Sequence, residues 1–198
     1  MNELKPYSSA CGRNRDPILV VLQEVFRDTS NVLEIGSGTG QHAVYFGKNL
    51  PWLIWQPTDL LMHHRGMSVW LKEAGLMNVR SPLVLDVNQL NWPIARAGGV
   101  FSANTAHIVT WEGVKNLFAG VGNILEEKGF FLLYGPFNYQ GNYTSQSNAE
   151  FDVWLKQRDP LSGIRDFEMV CDLAKQNGLK LTNDCGMPAN NRLLVFKK

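Results

Sequence analysis

The sequence has little of what marks secreted, membrane-spanning or metal-binding proteins. It contains three cysteines, Cys11, Cys171 and Cys185, with no C-x-x-C pair, which argues against a disulfide framework or a thiolate metal site. No apolar run approaches the roughly 20 residues that cross a bilayer. The first residues, Met1 to Pro6, lack the apolar core of a signal peptide. We therefore expect a reduced, cytoplasmic protein with no metal ligands and no membrane partner.

An excess of one sign of charge is also lacking. The chain has 19 Lys and Arg against 18 Asp and Glu, a formal net charge of +1, so we expect no nucleic-acid partner. Hydrophobic residues make up 44% and charged residues 19%, which is the composition of a folded globular protein. A small-molecule substrate is expected, and the oligomeric state stays open.

A glycine-rich segment near the N-terminus is the most informative part of the chain. An apolar run from Asn31 to Ile35 predicts a strand, and glycines follow at alternate positions, Gly36, Gly38 and Gly40. The residues from Gln41 onward read as a helix. A strand, a glycine turn and a helix in this order form the nucleotide-binding half of a doubly wound α/β sheet.

Glu34, two residues before the first glycine, separates two interpretations of this loop. A dinucleotide site uses G-x-G-x-x-G around a pyrophosphate, which a neighbouring carboxylate would repel, whereas a carboxylate attracts an ammonium group. The pattern E-x-G-x-G-x-G instead resembles motif I of the class I S-adenosylmethionine-dependent methyltransferases. The resemblance implies that the methionyl part of S-adenosylmethionine is bound here by Glu34, Gly36, Ser37, Gly38 and Gly40.

The rest of the chain predicts the same fold class. Strands and helices alternate through residue 178, which requires a parallel sheet with right-handed crossovers. Two last strands, 179–182 and 193–196, are joined without a helix and should be antiparallel. We predict an α/β fold with a doubly wound, mostly parallel seven-stranded sheet and a terminal antiparallel strand, in one domain over residues 1–198. The first helix is predicted from Pro17 to Arg27 with Pro17 in its first turn, a loop bracketed by Asn91-Trp92-Pro93 and Gly98-Gly99, and a fourth strand from Val100 to Thr110.

Residues at strand ends supply the other candidates for cofactor contact, because ligands of doubly wound sheets bind at the carboxyl ends of the strands. Asp59, with Leu60, follows the second strand and could accept hydrogen bonds from ribose hydroxyls, or be a solvated turn acid. Asp86 and Val87 end the third strand. Resemblance to the methyltransferases implies that this pair contacts adenine; an N-cap role for Asp86 is the alternative.

The end of the fourth strand departs from familiar patterns. Many amino- and DNA-methyltransferases carry an Asp/Asn-Pro-Pro-Tyr/Phe motif there, where this chain has Ser102 to His107. Asn104 is predicted to orient a nucleophile or contact the methionyl group. His107 is the candidate general base, because imidazole titrates near neutrality; a structural hydrogen bond is the alternative.

Several further motifs are similar to those of one family. They are Arg13-Asn14-Arg15 followed by Pro17-Ile18-Leu19, Leu133 to Asn138, Arg158-Asp159-Pro160, Gly163 to Asp166, and Met187 to Asn191. Together they resemble a family of methyltransferase-like proteins that is catalogued as a domain of unknown function and whose animal members are called methyltransferase-like protein 26. The resemblance implies the class I fold and a S-adenosylmethionine site, and no established substrate.

The connection from Gly135 to Arg165 is long for a compact domain, and such segments are usually functional or disordered. Its aromatic and amide residues favour an ordered substrate-recognition insertion. The predicted substrate contacts are Tyr134, Asn138, Arg158, Asp159 and Arg165, with Arg13 and Arg15 on an N-terminal lid. The sequence thus predicts a S-adenosylmethionine-dependent methyltransferase for a small polar acceptor. Alternatives are a non-catalytic cofactor-binding or scaffold protein with the same fold and, less favoured, a NAD-dependent oxidoreductase.

Overall fold

A seven-stranded sheet organises the fold, which a computed structural model describes for residues 5–198. The sheet strands are β1 (Asn31–Ile35), β2 (Ile54–Asp59), β3 (Leu83–Val84), β4 (Ala97–Ala103), β5 (Leu125–Gly135), β8 (Lys180–Met187) and β9 (Asn191–Lys197). The helices are α1 (Ser9–Val25), α2 (Gln41–Asn49), α3 (Leu61–Ala74), α4 (Trp111–Ile124), α5 (Gln146–Arg158) and α6 (Phe167–Gln176). Two short strands, β6 (Phe137–Asn138) and β7 (Arg165–Asp166), pair separately.

The strand order is β3-β2-β1-β4-β5-β9-β8. Neighbouring strands from β3 through β5 are parallel, whereas β9 runs antiparallel to both β5 and β8. The predicted fold class is confirmed, and the antiparallel strand that ends the chain lies inside the sheet rather than at its edge. The chain reverses its direction of winding between β1 and β4, which makes the carboxyl ends of these strands the switch point of the sheet.

The two faces of the sheet carry separate hydrophobic cores. Leu33 and Ile35 pack into one core with residues of α4 and α6, and Val32 packs into the other with residues of α1 and α2. Side chains alternate between faces along a strand, so Glu34 points to the same side as Val32. This alternation decides where the motif carboxylate lies.

Three local predictions were wrong. Helix α1 begins at Ser9 and Pro17 lies inside it, so packing overrides the reluctance of a residue before proline to be helical. Gly98 and Gly99 belong to β4, where a Cβ on Gly99 would lie 2.5 Å from the ring of Phe26; the glycine makes room for an aromatic ring. Strand β4 ends at Ala103, because Asn104 adopts φ 57° and turns the chain.

The segment between β5 and β7, here called the insertion (residues 136–164), contains β6 and α5. Ser145 caps α5 by accepting a hydrogen bond from the backbone N–H of Asn148 at 3.1 Å. The buried carboxylate of Asp152 accepts the Ile164 N–H and the Tyr143 hydroxyl, both at 2.7 Å. Asp152 thus connects α5 to the segments that precede and follow this helix. Across residues 5–198, no helix is both long and apolar enough to span a bilayer.

Candidate functional site

A cavity of about 410 Å³ opens at the switch point of the sheet, within the size range of small-molecule sites. Its wall comes from the ends of β1, β2 and β4, the residues after β3, and one residue at the end of α5. Predicted site residues in the wall are Gly36, Asp59, Leu60, Asp86, Val87, Asn104 and Asp159. The other lining residues are Ile35, His63, Leu85, Asn88, Thr105, Ile108, Val109 and Thr110.

The three glycines of the loop all have positive φ, +74° at Gly36, +55° at Gly38 and +83° at Gly40, a region that side chains disfavour. A Cβ on Gly36 would lie 2.4 Å from Oγ1 of Thr105, and one on Gly40 would lie 2.7 Å from Cγ of Met67. A Cβ on Gly38 would have no atom within 4 Å. Two glycines therefore allow close packing, and Gly38 keeps the loop surface open.

Asp59 connects the glycine loop to the cavity. Its Oδ2 accepts the backbone N–H of Gly38 at 2.7 Å, and its Oδ1 accepts the N–H of Leu60 at 2.7 Å. A carboxylate oxygen can accept more than one hydrogen bond, so both oxygens retain capacity on the cavity side. This arrangement fits a vicinal diol such as that of a ribose.

The charge of the cavity is of one sign. Asp59, Asp86 and Asp159 contribute carboxylates, and the described lining residues include no Lys or Arg. The Oδ1 atom of Asp86 accepts the backbone N–H and side-chain N–H of Asn88, at 2.9 and 3.1 Å, so this acid shapes a turn and does not cap a helix. Such a wall attracts a cationic ligand and repels a pyrophosphate.

Glu34 lies beneath the loop rather than in the cavity wall. The residue is 1% exposed, and its Oε2 accepts the indole N–H of Trp55 at 2.8 Å. Burial, with a smaller contribution from Asp59, raises the pKa of Glu34 to about 7. Ser37 is also buried, and its hydroxyl accepts the N–H of Thr58 at 3.1 Å. Direct contact of either side chain with a ligand stays a prediction.

Asn104 and His107 are separated by the turn that follows β4. Asn104 lines the cavity, and its backbone N–H donates to the carbonyl of Tyr134 at 2.9 Å. His107 is 4% exposed, is not among the lining residues, and packs edge-on against Phe151 with ring centroids 5.3 Å apart. Burial, with repulsion from Arg165, lowers its pKa to about 4. The geometry gives His107 a packing role, and general-base catalysis stays a prediction.

The predicted substrate residues are dispersed. Only Asp159 reaches the cavity. Arg165 donates from Nε to the carbonyl of Ala106 at 2.9 Å and from Nη2 to those of Val109 and Leu161, so it supports the turn after β4. Arg158 stacks on Trp154, with its guanidinium carbon 4.7 Å from the ring centroid.

The predicted lid residues belong to a regular helix. Arg13 and Arg15 lie on α1, where the buried Asn14 shares a hydrogen bond of 2.8 Å with His42 of α2. Arg15 stacks over the ring of Tyr45 at 4.5 Å. Helix α1 packs along α2, and its N-terminal end lies beside the residues that follow the glycine loop, where the backbone N–H of Ser8 donates to Oε1 of Gln41 at 2.5 Å. Contact of Arg13 or Arg15 with an acceptor stays a prediction.

Tyr134 and Asn138 lie near the end of β5. Tyr134 is 3% exposed and belongs to the core on the α1 and α2 side. The side-chain oxygen of Asn138 is buried and has no hydrogen-bond partner within the described chain. Unpaired buried acceptors are uncommon, so this oxygen fits a site that receives an N–H or O–H group from a ligand.

Sequence reasoning missed several residues of the wall. Thr105 occupies the space that the absent Cβ of Gly36 leaves, and Ile108 and Val109 come from a segment that was predicted to be strand. The signal that could have identified these three residues is their position shortly after the end of a strand. Asn104 was predicted as a site residue for that reason. His63 follows Asp59 by four residues in sequence, and its Nε2 lies 3.9 Å from Oδ1 of Asp59.

A family model described as a protein of unknown function (DUF938) matches residues 5–198. The chain belongs to the DUF938 family. Within the described chain, this DUF938 protein has no group of three or more His, Cys, Asp or Glu side chains that could hold a metal ion.

Solved structures similar to this DUF938 protein include methyltransferases. An O-methyltransferase family protein from Burkholderia thailandensis superposes with a TM-score of 0.84 at 15% identity, covering 96% of this chain and 57% of that chain. An O-methyltransferase family 2 protein from Planctomyces limnophilus, solved in complex with apigenin, gives 0.82 at 16% identity, covering 96% and 58%. PigF with SAH gives 0.81 at 14% identity, covering 94% and 56%. The likeness establishes the fold, and this chain spans little more than half the length of these proteins.

Proposed function

We propose that this DUF938 protein is a S-adenosylmethionine-dependent methyltransferase for a small polar acceptor. One observation carries the proposal: a cavity walled by three carboxylates, with no Lys or Arg among its described lining residues, lies at the switch point beside a glycine loop. S-adenosylmethionine is an adenosine ligand with a sulfonium and an ammonium cation and no phosphate. A NAD-type pyrophosphate would meet only repulsion from these side chains.

The residues present fit this cofactor. Asp59 would accept the ribose hydroxyls from the position in which it already braces Gly38. Asp86 and the backbone of Val87 would contact the adenine edge, and the apolar side chains of Leu85 and Ile108 would cover the ring. Gly38, the open glycine, would receive the methionyl part of the molecule. Above its raised pKa of about 7, the ionised Glu34 would favour the ammonium group from beneath the loop.

When bound, S-adenosylmethionine supplies an electrophilic methyl group to an oxygen, nitrogen or sulfur nucleophile. The chain mainly orients the reactants and excludes water. Asn104, in a fixed left-handed conformation at the cavity, would position the nucleophile. His107→Ala tests the base role: a large loss of turnover with unchanged cofactor affinity would support it, and unchanged turnover would remove His107 from the mechanism.

Calorimetric titration with S-adenosylhomocysteine tests the cofactor site. Asp59→Asn should weaken binding roughly tenfold, because a charge-assisted hydrogen bond becomes a neutral one. Asp28→Asn changes an exposed acid at the end of the first helical region and serves as the matched control with wild-type affinity. Equal affinity of all three proteins would contradict the assignment of Asp59.

A transfer assay separates the enzyme from the alternative, a protein that binds the cofactor without using it. Labelled S-adenosylmethionine is incubated with panels of small alcohols, amines, thiols and carboxylic acids, and labelled product is measured. Tight cofactor binding with no product across the panels would favour the non-catalytic alternative. The closer resemblance to methyltransferase-like protein 26 is part of this proposal and supplies no acceptor.

A further inference from the structure

A second cavity lies near the carboxyl end of β5, and the proposed cofactor site does not use it. Its volume is about 590 Å³. Two segments form its wall: Tyr139 and Thr144 of the insertion, and the turn between β8 and β9 from Gly186 to Arg192. The insertion thus contributes to a cavity, as a recognition element would.

Strand register relates the two cavities. Asn104, in the first cavity, donates its N–H to Tyr134, and the next residue, Gly135, pairs with Arg192 of the second cavity. Adjacent strands are about 4.8 Å apart, so the backbones of Asn104 and Arg192 are separated by roughly 10 Å along the carboxyl edge of β4 and β5. A small acceptor is long enough to place its reacting atom at one cavity and its other end at the second.

The guanidinium of Arg192 is held in one orientation. Its Nε donates to Oδ1 of Asp184 at 2.7 Å, and its Nη2 donates to the Asp184 carbonyl at 2.9 Å. The other carboxylate oxygen of Asp184 accepts the hydroxyl of Tyr139 at 2.7 Å. The guanidinium also donates a hydrogen bond to the hydroxyl oxygen of Tyr139, and a Cβ on Gly186 would lie 3.3 Å from Nη1. Glycine at this position leaves Nη1 accessible.

The turn that closes the cavity is also fixed. Ala189 and Asn190 both have positive φ, 56° and 57°, which describes a tight two-residue hairpin turn. The side chain of Asn148, on α5, donates to the carbonyl of Asn190 at 3.2 Å. The same amide donates to the hydroxyl oxygen of Thr144 at 2.8 Å, so one buried side chain joins the two walls and leaves the Thr144 hydroxyl proton free to donate.

We propose that this second cavity binds the far end of the methyl acceptor and that this end carries a carboxylate, recognised by Nη1 of Arg192 and the hydroxyl of Thr144. An oriented guanidinium donor beside a hydroxyl donor is suited to carboxylate oxygens. The proposal rests on the proposed function, because it takes the reacting end of the acceptor to lie at the cofactor cavity.

Binding to the protein loaded with S-adenosylhomocysteine tests the proposal. The probe is para-coumarate, a rigid molecule with a hydroxyl at one end and a carboxylate at the other, and its uncharged matched partner is para-coumaramide. We expect the carboxylate to bind roughly tenfold more tightly than the amide. In side-chain NMR spectra, the carboxylate should shift the Nε–H resonance of Arg192, which is assigned from its absence in Arg192→Lys.

In Arg192→Gln the preference for the carboxylate should fall to about onefold, and in Arg27→Gln, which changes an exposed arginine far from the cavity, it should persist. Arg192→Lys retains the cation and should keep part of the preference. Equal binding of the two probes to the wild-type protein, or an unshifted Arg192 resonance, would overturn the carboxylate site whatever the variants do. Loss of S-adenosylhomocysteine binding itself would instead refute the proposed function, and that titration is read first.

Discussion

Replacement of Gly38 by valine is expected to have two effects, a loss of stability from backbone strain and a loss of ligand affinity. Comparison with the same replacement at Gly75 separates them. Gly38 has φ +55° with no atom within 4 Å of a Cβ, and Gly75, which ends α3, has φ +59° with the same free space. The left-handed conformation costs an L-residue about 1–2 kcal/mol. Gly38→Val and Gly75→Val should therefore lose similar amounts of unfolding free energy. Only the former places a branched side chain on the open surface of the loop.

The two variants should differ in ligand affinity. We expect Gly38→Val to weaken S-adenosylhomocysteine binding at least a hundredfold, about 2.8 kcal/mol, and Gly75→Val to bind as the wild type does. Urea denaturation measures stability and calorimetry measures affinity. If both variants bound the ligand equally well, the loop would not approach it, and the reasoning about Gly38 would be refuted.

Three further predictions follow from buried groups. Glu34→Gln should become more stable relative to the wild type as the pH rises from about 4.5 through about 7, because the raised pKa of Glu34 means that burial favours its protonated form; a pH-independent difference in urea denaturation would contradict this. Arg165→Met should lose about 2–4 kcal/mol of unfolding free energy with unchanged ligand affinity. Arg158→Met, on the surface, should lose under about 1 kcal/mol. Weakened ligand binding in Arg165→Met would instead make Arg165 a site residue. His107, whose pKa is lowered to about 4, contributes stability that is complete above about pH 6.5 and is lost as the pH falls toward 4. His107→Gln should therefore lose less stability than the wild type over that pH range in urea denaturation. The same pH dependence of stability in both proteins would mean that other groups cause the acid sensitivity.

The loop and the strand ends could be predicted because their signals are local. The glycines with positive φ directly follow β1, at the positions of the turn that requires this conformation. Asp59 is at the end of β2. Parallel strands bring their carboxyl ends to one edge, so Asp59, Asp86 and Asn104 meet in one cavity without any knowledge of packing. The antiparallel pairing of the last two strands could also be predicted, because the connection between them is too short for a parallel crossover.

The functions of the long polar side chains could not be predicted, because each depends on partners far away in sequence. Arg165 supports carbonyls nearly sixty residues earlier in the chain, and Asp152 closes the insertion on itself. Glu34 satisfied the motif, yet strand alternation directs its side chain away from the cavity and toward Trp55. A motif identifies the loop, and only the fold reveals which of its atoms face the ligand.

The central claim is that the cavity is built for an adenosine cofactor that carries an amino-acid group and no phosphate. Parallel calorimetric titrations of the wild-type protein with S-adenosylhomocysteine and with NAD test it most directly, since both ligands carry adenosine and only one carries a pyrophosphate. The three carboxylates predict one site for S-adenosylhomocysteine and binding of NAD that is at least roughly tenfold weaker. Tighter binding of NAD, or no binding of S-adenosylhomocysteine, would contradict the account.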